Sequence, residues 1–267
     1  MRAGCALPAL QLALACVDAL GSLFAATARP ECLDGVAEAL EQQCGEAAAA
    51  QAAVRALAAA CDAALPRLQG GALRQHPALA SSLLHLAAAC AAYAPAALYA
   101  SPALGALLQL ATAAVALREA DPVAAALQLA AKLAAAWACG GDEGVSAAHL
   151  EAVRSVLAAQ GPALVAALLA AACDTCPRHL LRTAADCLRR LLAHPELGGA
   201  AGGWLAAAAT SGQLPGAAEG YLSPQDCAAF ARLAPGLQGA RFLALFSDFG
   251  LLARGHNTSD VLLAYEL

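Results

Sequence analysis

The stretch "SPALGALLQL", Ser101–Leu110, decides how this chain is read, because close relatives of it recur. "HPALASSLLHL" begins at His76, "DPVAAALQLA" at Asp121 and "GPALVAALLA" at Gly161. Each phrase sets a small or polar residue before a proline and then an apolar run. Proline suits the first helical position, where its missing N–H would have no partner anyway. Ser101 and Asp121 are residue types that cap a helix start with a side-chain oxygen. The phrases therefore predict a series of helices, each reopened at a proline.

Working outward from Ser101, the apolar and proline pattern predicts helices over about Pro8–Ala28, Cys32–Gln43, Ala47–Gln69 with a kink at Pro66, Pro77–Tyr93, Pro102–Leu117 and Pro122–Cys139. "QGGALRQ" reads as a loop, and "CGGDEG" ends the helix from Pro122. Further helices follow over Ser146–Ala159, Pro162–Cys173 and Pro177–His194. A short helix is expected around Trp204. The glycine-rich "GGAAGG" and "SGQLPGAAEG" flank it as the loosest part of the chain. "SPQD" at Ser223 has the form of a capping box opening a helix to Leu233, and a last helix covers Leu237–Arg254.

The spacing suggests the architecture. Pro77 to Pro122 is 45 residues and two helices, and Pro122 to Pro162 is 40 residues and two helices. Two-helix units of that length are typical of HEAT and armadillo repeats. A lone hairpin is too thin to bury its apolar face, so it stacks on its neighbours. The expected fold is all-α, an α-α superhelix of about six antiparallel pairs over residues 1–254, with a C-terminal tail over 255–267. A single globular helical bundle accommodates the same helices.

Composition agrees with the helical class. Of 267 residues, 61% are hydrophobic and 13% charged. Alanine and leucine, the best helix formers, dominate, and no strand-like alternation of any length occurs. Isoleucine is absent, Lys132 is the only lysine and Asn257 the only asparagine. This pattern reads as the codon choice of a GC-rich genome, so the alanine content says little about function. The net charge of −5 leaves no electrostatic footprint for nucleic acid or acidic lipid. Eleven scattered cysteines read as reduced core thiols of an intracellular protein, and on that ground "NTS" at Asn257 is a chance match to a glycosylation pattern. The windows Pro122–Cys139 and Leu164–Cys173 raise a membrane reading. The first is mostly alanine with Gln128 and Lys132, and the second is short for a span.

Few residues suggest chemistry. "CDTC" at Cys173–Cys176, with His179 three residues on, lacks the second ligand pair a structural zinc site needs. His76 and His194 each precede a proline and read as loop or cap residues, and His85 as a packed or half-buried helical histidine. No nucleophile–base arrangement and no phosphate-binding loop is present, so neither an enzyme nor a cofactor or metal site is expected. In "CPRHLLRTAADCLRRLLAHPE", Leu180, Leu181, Ala184, Cys187, Leu188, Leu191 and Leu192 share one helical arc. Arg178, His179, Arg182, Asp186, Arg189 and Arg190 share the other. Asp186 is spaced to pair with Arg182 or Arg190. The stripe of Arg178, Arg182, Arg189 and Arg190 is either an ordinary wet face or a contact for an acidic partner.

The order of phrases resembles the C-terminal part of the importin-β superfamily, in the transportin-SR and importin-13 branch. "AAVRALAAACDAALPRLQGGALRQHPALASSLLHLAAAC" matches that branch's long helix with an internal proline, its histidine–proline phrase and the helix after it. "YAPAALYASPALGALLQLA" matches the short serine–proline turn and next helix. "LVAALLAAACDTCP" matches an apolar run ending in clustered cysteines, and "GGWLAAAA" a tryptophan-opened short helix. "FLALFSDFGLLAR" keeps the order Phe246, Asp248, Phe249, Arg254.

The resemblance implies a HEAT-repeat nuclear transport receptor, shuttling between cytoplasm and nucleus and carrying protein cargo such as arginine/serine-rich splicing factors. It also implies passage through phenylalanine–glycine nucleoporins and release of cargo by Ran-GTP. The repeats that hold Ran in this family lie upstream of the matched phrases, so the chain reads as a C-terminal fragment, the product of a truncated gene model or a reduced paralogue. The arginine helix that reads phosphorylated cargo also lies upstream, so the resemblance gives no role to Arg178, Arg182, Arg189 or Arg190.

Overall fold

A computed structural model describes residues 6–42, 47–139 and 145–265. Among them the chain is all-α, with thirteen α-helices, short 3-10 turns and no strand. The end of the helix at "CGGDEG" lies partly outside the described residues.

Two neighbouring rows account for most of the packing. One consists of α2 (Pro30–Gln42), α4 (Pro77–Tyr93), α7 (Ala120–Ala134), α9 (Leu181–Leu192) and α12 (Gly239–Ala253), each packed on the next. The other runs through α1 (Ala6–Thr27), α3 (Ala47–Ala64), the short α5 (Pro95–Tyr99) with α6 (Leu104–Ala114), α8 (Ala147–Cys173), α10 (Gly198–Thr210) and α11 (Pro224–Leu233). Across the rows α1 meets α2, α3 meets α4, α6 meets α7, and α9 meets α8 and α10.

Burial follows the residue pattern. Helix α4 is apolar on nearly every side and is buried from Leu79 to Ala91 almost without interruption, as a helix between several neighbours must be. Helix α9 is amphipathic and buries Leu181, Ala184, Ala185, Cys187, Leu188 and Leu191, the arc expected from its spacing, with Leu180 and Leu192 partly covered at its edges. The five phenylalanines, Phe24, Phe230, Phe242, Phe246 and Phe249, are all fully buried. Four of them cluster between α11 and α12, where Phe230 and Phe249 stack at 4.1 Å. Ser223 caps α11 through the full reciprocal box with Asp226.

Several sequence expectations are corrected. Gly161 and Pro162 do not open a helix, because α8 runs through both as one 27-residue helix. A residue before proline normally leaves the helical region because its Cβ meets the proline ring, and Gly161 has no Cβ. The ring of Trp204 packs over it instead. "GGAAGG" is not a loop but lies within α10, held by burial of Ala201, Leu205 and Ala209. "SGQLPGAAEG" is fastened: Gly216 sits at φ +87° against the Ala253 carbonyl, and its own carbonyl accepts from Tyr221 and Leu222. Neither Ser101 nor Asp121 stands at the N-cap position, although the Ser101 Oγ does accept from the Ala103 N–H at 3.2 Å just ahead of α6. Helix α6 starts at Leu104, while α7 starts at Ala120 and holds Asp121 in its first turn. "QGGALRQ" contains a 3-10 turn, and the kink expected at Pro66 is a change from α to 3-10 geometry after Ala64.

The C-terminal segment packs back on the body. Leu262 in α13 (Asp260–Leu263) is buried against α11 and α12, and the Tyr265 hydroxyl donates to Asp248 at 2.5 Å.

Candidate partner-binding surfaces

The arginines at positions 178, 182, 189 and 190 do not form one free stripe. Arg178 lies in the 3-10 turn before α9, and its guanidinium donates to Nε2 of His256 at 2.7 Å. Arg182 is exposed. Arg189 and Arg190 both grip Asp186, at 2.6 Å each. Partial burial of Asp186 acts to raise its carboxyl pKa, but the bonds from Arg190 and Arg189 outweigh this and hold it below the ordinary value. The pairing with Arg190 is the one its spacing suggests; Arg189 takes the place expected of Arg182.

Arg190 also faces a different surface. One side of the row α2–α4–α7–α9 carries a groove of about 300 Å³. It is lined by alanines of α4 and α7, Ala88, Ala89, Ala92 and Ala131, together with Glu41, His85, Tyr93, Lys132 and Arg190. His85, half-exposed on the helix that is otherwise the most buried, lies 3.8 Å from the Asp34 carboxylate. Lys132 makes no ion pair among the described residues. Sequence alone placed neither Lys132 nor His85 at a surface shared by four helices. Their common position follows from the lateral packing of helices far apart in the chain.

A second cavity, of about 370 Å³, lies where the segment after α7, the first turns of α8 and the α9–α10 connection meet. Trp137, 44% exposed, stands beside the His194 ring edge-on. Arg154 bridges Glu151 and Glu196 on the same wall. His194 is a turn cap, as its place before Pro195 suggested: its Nδ1 accepts from the backbone N–H of Glu196 and of Leu197, both at 3.2 Å. The proton therefore sits on Nε2 and the ring is neutral. Burial lowers its pKa below 6.5 and the Arg154 charge adds to this, against an opposing pull from Glu196.

A lowered folded-state pKa has a definite consequence. Below about pH 6.5 the unfolded chain binds a proton that the folded ring resists, so stability rises with pH through that window and is lost on acidification. Changing His194→Asn keeps an acceptor for the two N–H groups and removes the titration. Urea midpoints measured between about pH 7 and 5 should fall less in the variant than in the native chain. Equal slopes would show that other groups carry the acid sensitivity.

The "CDTC" thiols are packed. Burial pushes Cys173 up to about 12 and Cys176 up to about 11 against the lowering effect of Arg254, so both are neutral near pH 7. His179 is exposed. No three metal-ligating side chains converge among the described residues. Among the described residues α8 is the one helix long and apolar enough to cross a membrane, and half of that window is buried inside the protein. No family model matches the chain, and no curated protein matches it.

Proposed function

We propose that this chain is a helical-repeat binding scaffold of the importin-β kind, the C-terminal arch of a receptor that carries protein cargo between cytoplasm and nucleus. The observation that supports it is the pair of helix rows, in which contacts run between near neighbours from α1 to α13. Stacked two-helix units build such rows, with one row lining a continuous surface for a partner. The groove across α2, α4, α7 and α9 is a surface of that kind. The order of phrases over most of Leu7–Arg254 supports the transport branch and, with it, arginine/serine-rich cargo, phenylalanine–glycine nucleoporins and Ran as partners of the receptor.

Two measurements test the reading at its two levels. Small-angle scattering of the full chain should give a radius of gyration above the roughly 18 Å of a compact globule of this length. A value at or below that figure favours the globular bundle. Titration with fluorescent arginine–serine repeat peptide, phosphorylated and unphosphorylated, should show saturable binding. An elongated chain that binds neither form is a HEAT-type scaffold outside transport.

A further inference from the structure

We propose that the cavity beneath Trp137 is a docking site for an arginine side chain of an extended, unphosphorylated basic peptide. The inference rests on the binding-scaffold reading for its peptide context and on the cavity itself for its chemistry. Trp137 presents its ring at the cavity mouth, although an indole is among the costliest surfaces to leave in water. Ala136, Ala147, Leu150 and Pro195 supply apolar wall around it.

Charge on the wall selects the ligand. Glu151 and Glu196 face one guanidinium, Arg154, so one carboxylate charge is left over. Arg154 takes Oε2 of each carboxylate, and neither Oε1 accepts a hydrogen bond among the described residues. Both carboxylates are largely exposed, so a second cation reaches them without being stripped of water completely. A planar guanidinium suits such a site better than an ammonium. It stacks flat on an indole face while its N–H groups fork toward carboxylate oxygens, and it is the more weakly hydrated of the two. An aliphatic ligand would satisfy the wall and leave the free oxygens unused. A phosphoserine beside the arginine brings negative charge against Glu151 and Glu196 and opposes docking.

Fluorescence anisotropy of the full chain with a labelled arginine–serine repeat peptide, at low salt, tests the site. Trp137→Ala should weaken binding about threefold or more. The exposed pair Glu151→Gln with Glu196→Gln should weaken it and flatten its salt dependence. Lysine-for-arginine and phosphorylated peptides should bind less well, and Arg190→Ala, in the other groove, should leave affinity unchanged. Thermal midpoints of the variants near the native value exclude misfolding as the cause. Equal affinity of native protein and Trp137→Ala overturns the site while leaving the cargo reading standing. Absence of binding by the native chain to the unphosphorylated peptide, with binding to the phosphorylated one, overturns it too and supports cargo recognition elsewhere. Quenching of tryptophan by free arginine as strong as by peptide reduces the cavity to a small-molecule site and overturns peptide docking.

Discussion

Replacing Arg254 by alanine should lower stability by about 2–4 kcal/mol, the largest loss expected of any single polar substitution in the chain. The guanidinium sits at the C-terminal end of α8, where the last carbonyls have no partner within the helix. Its Nε donates to Ala172 O at 3.0 Å, and Nη2 donates to Ala172 O and Cys176 O at 2.8 Å each and to Ala171 O at 3.2 Å. The charge also faces the negative end of the helix dipole. Ala172 and Cys176 are buried, so removing the donor strands their two carbonyls where water does not reach freely, while Ala171 O keeps the Cys176 N–H at 2.8 Å. Each bond to a charged donor contributes about 1.5–3 kcal/mol, and these share one side chain, so they do not add in full.

Arg254→Lys separates charge from geometry. An ammonium keeps the favourable dipole interaction but has no planar fork for carbonyls on two successive turns. Urea unfolding should place the lysine variant between native and alanine. A lysine variant within about 0.5 kcal/mol of native would show that a point charge suffices. Hydrogen exchange should localise the loss to α12 and the C-terminal half of α8, since a weakened interface opens locally before the whole chain unfolds.

The second large effect is Gly161→Ala. In an exposed helix this change gains about 1 kcal/mol, because glycine is the poorer helix former. Here a Cβ at Gly161 would lie 2.1 Å from Cζ3 of Trp204 and 2.6 Å from Cη2, far inside contact distance. It would also restore the clash with the ring of Pro162 that glycine avoids. Overpacking costs about 1–3 kcal/mol and wins over the propensity gain. The variant should unfold at lower urea, and Trp204 emission should move to the red as the indole is levered off α8. Trp204→Ala made alone should also destabilise. In the double variant the part of the cost of Gly161→Ala that comes from the indole should vanish, leaving only the clash before Pro162, a coupling that a double-mutant cycle reads directly. An undiminished cost would place the strain in the backbone before Pro162.

These two residues mark the boundary of what the chain declares about itself. Local pattern determined the helical class, the bounds of α4 at Pro77 and Tyr93, the buried arc of α9 and the cap at Ser223. In each case the physics acts within about one turn: periodic apolar residues, a proline at the first position, a serine oxygen over free amides. Phe246, Asp248, Phe249 and Arg254 could be singled out as a phrase. Their separate jobs in the aromatic core, the Tyr265 contact and the α8 end were not legible there. Glycine before Pro162 permits α8 to continue, and tertiary packing decided that it does, since the indole from α10 fills the space that a Cβ would take. Packing likewise made a helix of "GGAAGG", where burial of Ala201 and Leu205 outweighs the entropy of four glycines. The candidate surfaces belong to the same class. Lys132 and Arg190, or Trp137 and Glu196, lie scores of residues apart in the chain, and no spacing rule joins them. Their meeting depends on which helix lies beside which, a long-range choice set by the fit of mostly alanine and leucine faces.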